Sequence, residues 1–140
     1  MSTETFGIQF SVIAHLWRRH LDQQLAQAGF NDISWTPLLH LDEFGDGINQ
    51  QSLASSVEIE GSSLVRLLET LELRGHIIRQ TDLQDRRSRH IYLTDAGRRR
   101  VAVLRQHLRQ IESDILLDIS DEQIATTLAM LSGLKQKFQG

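Results

Sequence analysis

The sequence predicts a mainly α chain with a small β component (α+β), and three observations carry that prediction. A single proline, Pro37, interrupts 140 residues, so few positions forbid a helix. Apolar residues recur every three or four positions over long stretches at both ends. Only two short β-branched and aromatic runs, 77–81 and 91–94, have strand character. With 40% hydrophobic and 24% charged residues the chain has the composition of a folded domain, not a disordered tail. Its length suits one compact domain and is too short for two full enzyme domains.

The first helix is expected over residues 6–28. Phe6, Phe10, Ile13, Trp17, Leu21, Leu25 and Ala28 keep helical spacing, and Ile8, Val12 and Leu16 widen the stripe. That is more apolar surface than one buried face needs, so a partner helix is expected. Gly29 fits the position just past the helix end. Ser34 is the expected N-cap of a second helix, with Pro37 in its first turn, where the missing N–H costs nothing. Leu38, Leu41 and Phe44 give this helix a short apolar face. Residues 44–47 read as a turn. Asp42, Glu43 and Asp46 lack the ligand spacing of a calcium loop, so no metal is expected there.

Two short helices follow, over 49–57 and 60–74, the second ending at Gly75. On a helical wheel Leu64, Leu67, Leu68 and Leu71 form a floor. Ser62, Arg66 and Glu69 lie opposite, with Ser63 and Thr70 on one flank. Two short helices in quick succession, the second presenting a small-polar and arginine face, make a helix-turn-helix. The two strands then bracket a nine-residue polar loop, 82–90. A helix-turn-helix followed by a hairpin with a basic tip is a winged helix, with the hairpin over about 77–94 as the wing.

The next helix begins at Thr94 or Asp95 and runs to about residue 117, with Val101, Leu104, Leu108, Ile111 and Ile115 as its stripe. Arg98, Arg99 and Arg100 sit at its positive end, where each exposed cation costs about 0.3–1 kcal/mol. A nearby polyanion would offset that cost; partial compensation by Asp95 in a solvated first turn is the alternative. Ser120 and Gln123 are spaced as a capping box for the last helix. Ile124, Leu128, Leu131, Leu134 and Phe138 form its stripe.

Charge is unevenly distributed. The formal net charge is −3, and the basic residues are thirteen arginines and two lysines. Residues 1–61 carry a net −6, residues 62–109 a net +6, and residues 110–140 a net −3. Arginine suits forked contacts to phosphate and guanine, so the basic middle is a candidate nucleic-acid footprint. A solvated, salt-bridged helix surface is the competing explanation. The absence of cysteine excludes disulfides, thiol nucleophiles and thiol-based sensing. No apolar run approaches the roughly 18 residues of a membrane span, and the first ten residues lack the pattern of a signal peptide. A cytoplasmic location without membrane contact is therefore expected. Metalloprotease, phosphate-loop and nucleophile-elbow motifs are absent, so neither catalysis nor a cofactor is expected. A pure protein-interaction module would explain the apolar stripes but not three arginines in four positions of the wing.

The tract from Glu60-Gly61-Ser62-Ser63-Leu64-Val65-Arg66 through Leu73-Arg74-Gly75-His76-Ile77, with Asp85-Arg86-Arg87 and Tyr92-Leu93-Thr94-Asp95-Ala96-Gly97-Arg98, resembles the MarR family of transcriptional regulators. The likeness is greatest to the SlyA branch. It is strong over about residues 34–100 and fits the flanking helices by pattern. Leu83 departs from it, standing where a proline often follows the first aspartate of the wing.

The resemblance implies a homodimeric DNA-binding protein in which 6–33 and 101–140 form a dimerisation lobe and 34–100 the winged helix lobe. It implies that the 60–74 helix enters a major groove with Ser62, Ser63 and Arg66 as readers. The wing would place Arg87 in a minor groove, oriented by Asp85, with Arg86, Arg89 and Arg98 on phosphates. The expected partner is double-stranded DNA carrying a pseudo-palindromic operator. The resemblance also implies a pocket for a small aromatic carboxylate or phenolic ligand, with Trp35 and Arg18 at matching positions and His15 and His40 as further lining candidates.

Overall fold

The computed structural model describes residues 4–32, 34–57, 61–85 and 88–139. Six helices and three strands occur among them: α1 Glu4–Gln27, α2 Trp35–Phe44, β1 Ile48–Asn49, α3 Gln50–Val57, α4 Gly61–Leu73, β2 Ile77–Thr81, β3 Arg89–Leu93, α5 Asp95–Ile115 and α6 Asp121–Gln139. The chain divides into two units, residues 1–109 and residues 110–140.

In the first unit the core gathers Leu38 and Leu41 of α2, Leu53 and Val57 of α3, Leu64, Leu68 and Leu71 of α4, and Ile77, Ile91, Leu93 and Val101. Fully burying each such side chain contributes roughly 1.5–3 kcal/mol. The leucine floor of α4 is therefore what fixes which of its faces looks outward. The N-terminal half of α1 has no such cover. Phe6, Ile8, Phe10, Val12, Ile13 and Leu16 are all exposed, while Leu21 and Leu25 near its end are buried. Gly29 stops α1 at φ 97°, and the Phe30 N–H returns to the Leu25 carbonyl at 2.9 Å, closing the last turn.

The sheet has three strands in the order β1-β3-β2, all antiparallel. The sequence predicts two. Ile48 and Asn49 pair with Ile91 and His90, and Asn49, expected at a helix start, caps α3 by accepting the Ser52 N–H at 2.8 Å. The third strand also starts earlier than expected, at Arg89 opposite Thr81. Ser34 departs from expectation too. It precedes α2 but makes no side-chain cap; its hydroxyl is hydrogen-bonded to Asp32 instead.

The start of α5 explains the Leu-Thr-x-x-Gly-Arg motif physically. Thr94 Oγ1 accepts the Gly97 N–H at 3.0 Å and donates to the Gly75 carbonyl at 2.6 Å. A Cβ on Gly97 would lie 2.1 Å from the His76 carbonyl oxygen. Only glycine allows α5 to start this close to the turn before β2.

The second unit holds the end of α5 and all of α6. Ser120 Oγ accepts the Gln123 N–H at 3.1 Å, and Gln123 Oε1 accepts the Ser120 N–H at 3.3 Å, which is the expected capping box. No residue of α6 is buried, and Leu128, Met130 and Phe138 are exposed. No helix among the described residues is long and apolar enough to cross a membrane.

Candidate nucleic-acid interface

With Leu64, Leu68 and Leu71 buried, α4 presents Ser62, Ser63 and Arg66 to solvent. The hairpin β2–β3 stands beside it. Between them and α3 lies a concavity of about 680 Å³, lined by residues that include Gln50, Gln51, Val65, Arg79 and Arg89. Arg79 ties β2 to α4: it donates to Glu72 at 3.0 and 3.5 Å, with its side chain only 11% exposed. The Arg79 hydrogen bond holds the Glu72 carboxyl below its ordinary pKa.

The loop of the wing is organised by its own backbone. The Asp82 N–H donates to the Ser88 carbonyl at 2.9 Å, and the Ser88 N–H to the Asp85 carbonyl at 3.0 Å. Asp85 is exposed in this loop. Arg86 and Arg87 lie outside the described residues, and with them the expected Asp85–Arg87 arrangement. Arg89 is exposed at the base of the wing.

The arginines fall into two sets. Arg74 pairs with Asp32 at 2.8 Å, Arg79 with Glu72 at 3.0 Å, Arg98 with Asp46 at 2.7 Å and with Asp95 at 3.2 Å, and Arg105 with Asp42 and Glu43, each at 2.9 Å. Arg100 donates to the Gly29 carbonyl at 2.9 Å and covers the Phe30 ring at 3.7 Å. Arg19, Arg66, Arg89, Arg99 and Arg109, like Arg100, make no salt bridge among the described residues. Two of the three cations at the positive end of α5 thus have local partners, and Arg98 sits between two carboxylates. This supports the alternative of local compensation, with Asp46 adding to Asp95. A phosphate at Arg98 would compete with both.

Three of the four ligand candidates converge. Arg18 lies over the Trp35 ring at 4.7 Å and hydrogen-bonds Thr36 Oγ1. Trp35 Nε1 donates to Asp22 at 2.9 Å, and His40 Nδ1 lies 2.8 Å from the Thr36 carbonyl. Trp35 is only 4% exposed, so it acts as core, and the cation on its face is Arg18. His15 is exposed on α1 and makes no hydrogen bond among the described residues. Beside Trp35 a smaller concavity of about 320 Å³ is lined by Phe30, Asp32, Arg74, His76 and Arg100, among others. Burial first, then Arg100 and Arg74, push the His76 pKa down.

Sequence reasoning missed the residues that brace the interface: Arg79 with Glu72, Asp46 with Arg98, and His90 with Asp82. Only the last pair left a signal. Once the hairpin register is known, Asp82 and His90 are diagonal neighbours across it.

A family model described as the MarR family matches residues 32–88. The crystal structure of transcriptional regulator PA3341 is 31% identical over 96% of this chain and 98% of that chain, with a TM-score of 0.80. S. aureus MepR in its DNA-binding conformation is 26% identical over 96% of this chain and 98% of that chain, with a TM-score of 0.73. CouR from Rhodococcus jostii RHA1, bound to p-coumaroyl-CoA, shares the fold at 21% identity over 94% of this chain and 92% of that chain, with a TM-score of 0.75. The motifs, the winged helix and these relatives agree: the chain belongs to the MarR family of transcriptional regulators, DNA-binding proteins of the winged helix fold.

Proposed function

We propose that this chain is a homodimeric, sequence-specific, cytoplasmic transcriptional regulator that acts on a pseudo-palindromic operator in double-stranded DNA. In this reading α4 lies in the major groove with Ser62, Ser63 and Arg66 toward base edges. A forked contact from Arg66 to a guanine is worth roughly 1–3 kcal/mol of discrimination. Arg87, oriented by Asp85, enters the minor groove, where negative potential favours arginine. Arg86, Arg89 and Arg98 meet phosphates and position the protein without reading sequence. The observation that carries the reading is placement: Arg66 and Arg89 are exposed on α4 and the wing, and neither has a salt-bridge partner among the described residues. The uncovered apolar residues of α1 and of α6 support the dimer, since a second copy would bury them. The wing and α4 motifs support a place in the SlyA branch.

A small aromatic carboxylate or phenolic ligand would tune binding by favouring a spacing of the two α4 helices that misfits the operator. Support comes from the cluster of Arg18, Trp35 and His40 and from the concavity rimmed by Arg74 and Arg100. A gel shift with DNA recovered with the protein from cells, run at two salt concentrations, tests the regulator reading. A specific complex that weakens steeply with salt is expected. No specific shift, or a salt slope near zero, contradicts it.

A further inference from the structure

His90 sits at the base of the wing between two acceptors. Its Nδ1 lies 2.8 Å from the Gly47 carbonyl oxygen and its Nε2 lies 3.3 Å from Asp82 Oδ2. A neutral imidazole has one N–H and satisfies one of these acceptors. The imidazolium has two and satisfies both. The surroundings favour the charged form: the Gly47 carbonyl first, then the Asp82 carboxylate, raise the His90 pKa above its ordinary value. Asp82 is in turn held low by the Gln84 N–H and then by His90. The cross-strand partners of His90 are Asn49 and Gln80, both uncharged. Asp46, next to Gly47, is engaged by Arg98 at 2.7 Å, and Arg89 precedes His90 on β3.

The three partners belong to three segments: the turn before β1, the start of the wing loop just after β2, and β3. Asp82 also anchors the wing loop, accepting the Gln84 N–H at 2.8 Å and donating its own N–H to Ser88. We propose that His90, as its imidazolium, is a positioning residue that clasps the base of the wing to the Gly47 turn and makes DNA affinity depend on pH. This rests on the reading that the wing touches DNA. The sign follows from the raised pKa. The clasp is fully closed below the ordinary histidine value of about 6.5 and opens as pH rises through the folded value.

The test uses the full chain at constant ionic strength between pH 6 and pH 8.5. NMR follows the His90 ring and the exchange protection of the Asp82 amide, and fluorescence anisotropy follows binding to a duplex selected by the wild-type protein from a random-sequence pool. His90 is expected to titrate above its ordinary value, with Asp82 amide protection and DNA affinity both falling several-fold through the same pH window. His90→Gln flattens that part of the affinity profile and so separates His90 from the five other histidines. Asp82→Asn keeps an oxygen acceptor without the charge and moves the midpoint to lower pH. A His90 that titrates at or below its ordinary value, or a His90→Gln profile matching wild type, overturns the proposal while leaving DNA binding intact. A protein that retains no duplex at any pH overturns the underlying DNA reading and the proposal with it.

Discussion

Arg74, Arg79, Arg98 and Arg105 are the same residue type as Arg66 and Arg89, but their surroundings are opposite. Each of the first four has a carboxylate between 2.7 and 3.0 Å away; the other two have none among the described residues. The paired arginines join separate segments: the α1–α2 loop to the turn after α4, α4 to β2, the α2–β1 turn to α5, and α2 to α5. Of the two without a carboxylate, Arg66 stands on α4 and Arg89 on the wing; Arg99 and Arg109 of α5 make no salt bridge among the described residues either. A net +6 over residues 62–109 therefore overstates the charge open to a polyanion and says little about where it lies. Arg74, Arg79 and Arg105 are held by carboxylates as scaffold, Arg66 and Arg89 face the proposed interface, and Arg98 is paired yet also a proposed phosphate contact; the first two sets should respond differently to substitution.

The largest expected effect falls on the scaffold. Gly97→Ala places a Cβ against the His76 carbonyl and forces α5, with Arg98, away from the turn before β2. A loss of about 3 kcal/mol in stability is expected, at the upper end for overpacking, read as a lower melting temperature at fixed protein concentration. An unchanged melt would mean that the motif glycine is not needed for packing. On the interface, Arg66→Ala should leave the melt alone and relax preference at one base pair per half-site by about 1–3 kcal/mol. Retained wild-type preference would remove Arg66 from the reading set.

Smaller effects sharpen the contrast. Arg105→Ala opens a surface pair with Asp42 and Glu43, and about 0.2–1 kcal/mol of stability is expected to go. DNA affinity should be unaffected, and a loss of affinity would place Arg105 in the interface. The smallest effect is the acid response of Glu72. Its folded pKa lies below the ordinary value of 4.5, so its contribution is present above about that pH and is lost as pH falls through the folded value. Glu72→Gln should therefore flatten a small part of the acid limb of a stability–pH curve. A limb identical to wild type would show that the Arg79 pair does not stabilise the fold.

Local rules made much of this legible in the sequence. The capping box at Ser120 and Gln123, the leucine floor of α4 and the strand at 77–81 depend on neighbours three or four residues apart or on composition within a run, and they stand as expected. Strand β1 is two residues long and has no periodicity of its own; it exists only through pairing with β3. Arg89 and His90 lack strand character and join β3 through register, not propensity. Ser34 has the composition of a cap, but Asp32 two residues earlier takes its hydroxyl. The partners of Arg74, Arg98 and Arg105 lie 42, 52 and 63 residues away in sequence, beyond any local pattern. The site was legible as a type of surface, while the division of its arginines depends on the tertiary fold.

That division is tested most directly by the salt dependence of DNA binding for three proteins: wild type, the double variant Arg66→Ala/Arg89→Ala, and Arg105→Ala. Each phosphate contact removed lowers the slope of log affinity against log salt by about 0.9. The wild-type slope should persist in Arg105→Ala. It should fall by about 0.9 in the double variant, through Arg89, while Arg66 costs base preference. Equal slopes in all three, or a drop confined to Arg105→Ala, would contradict the account.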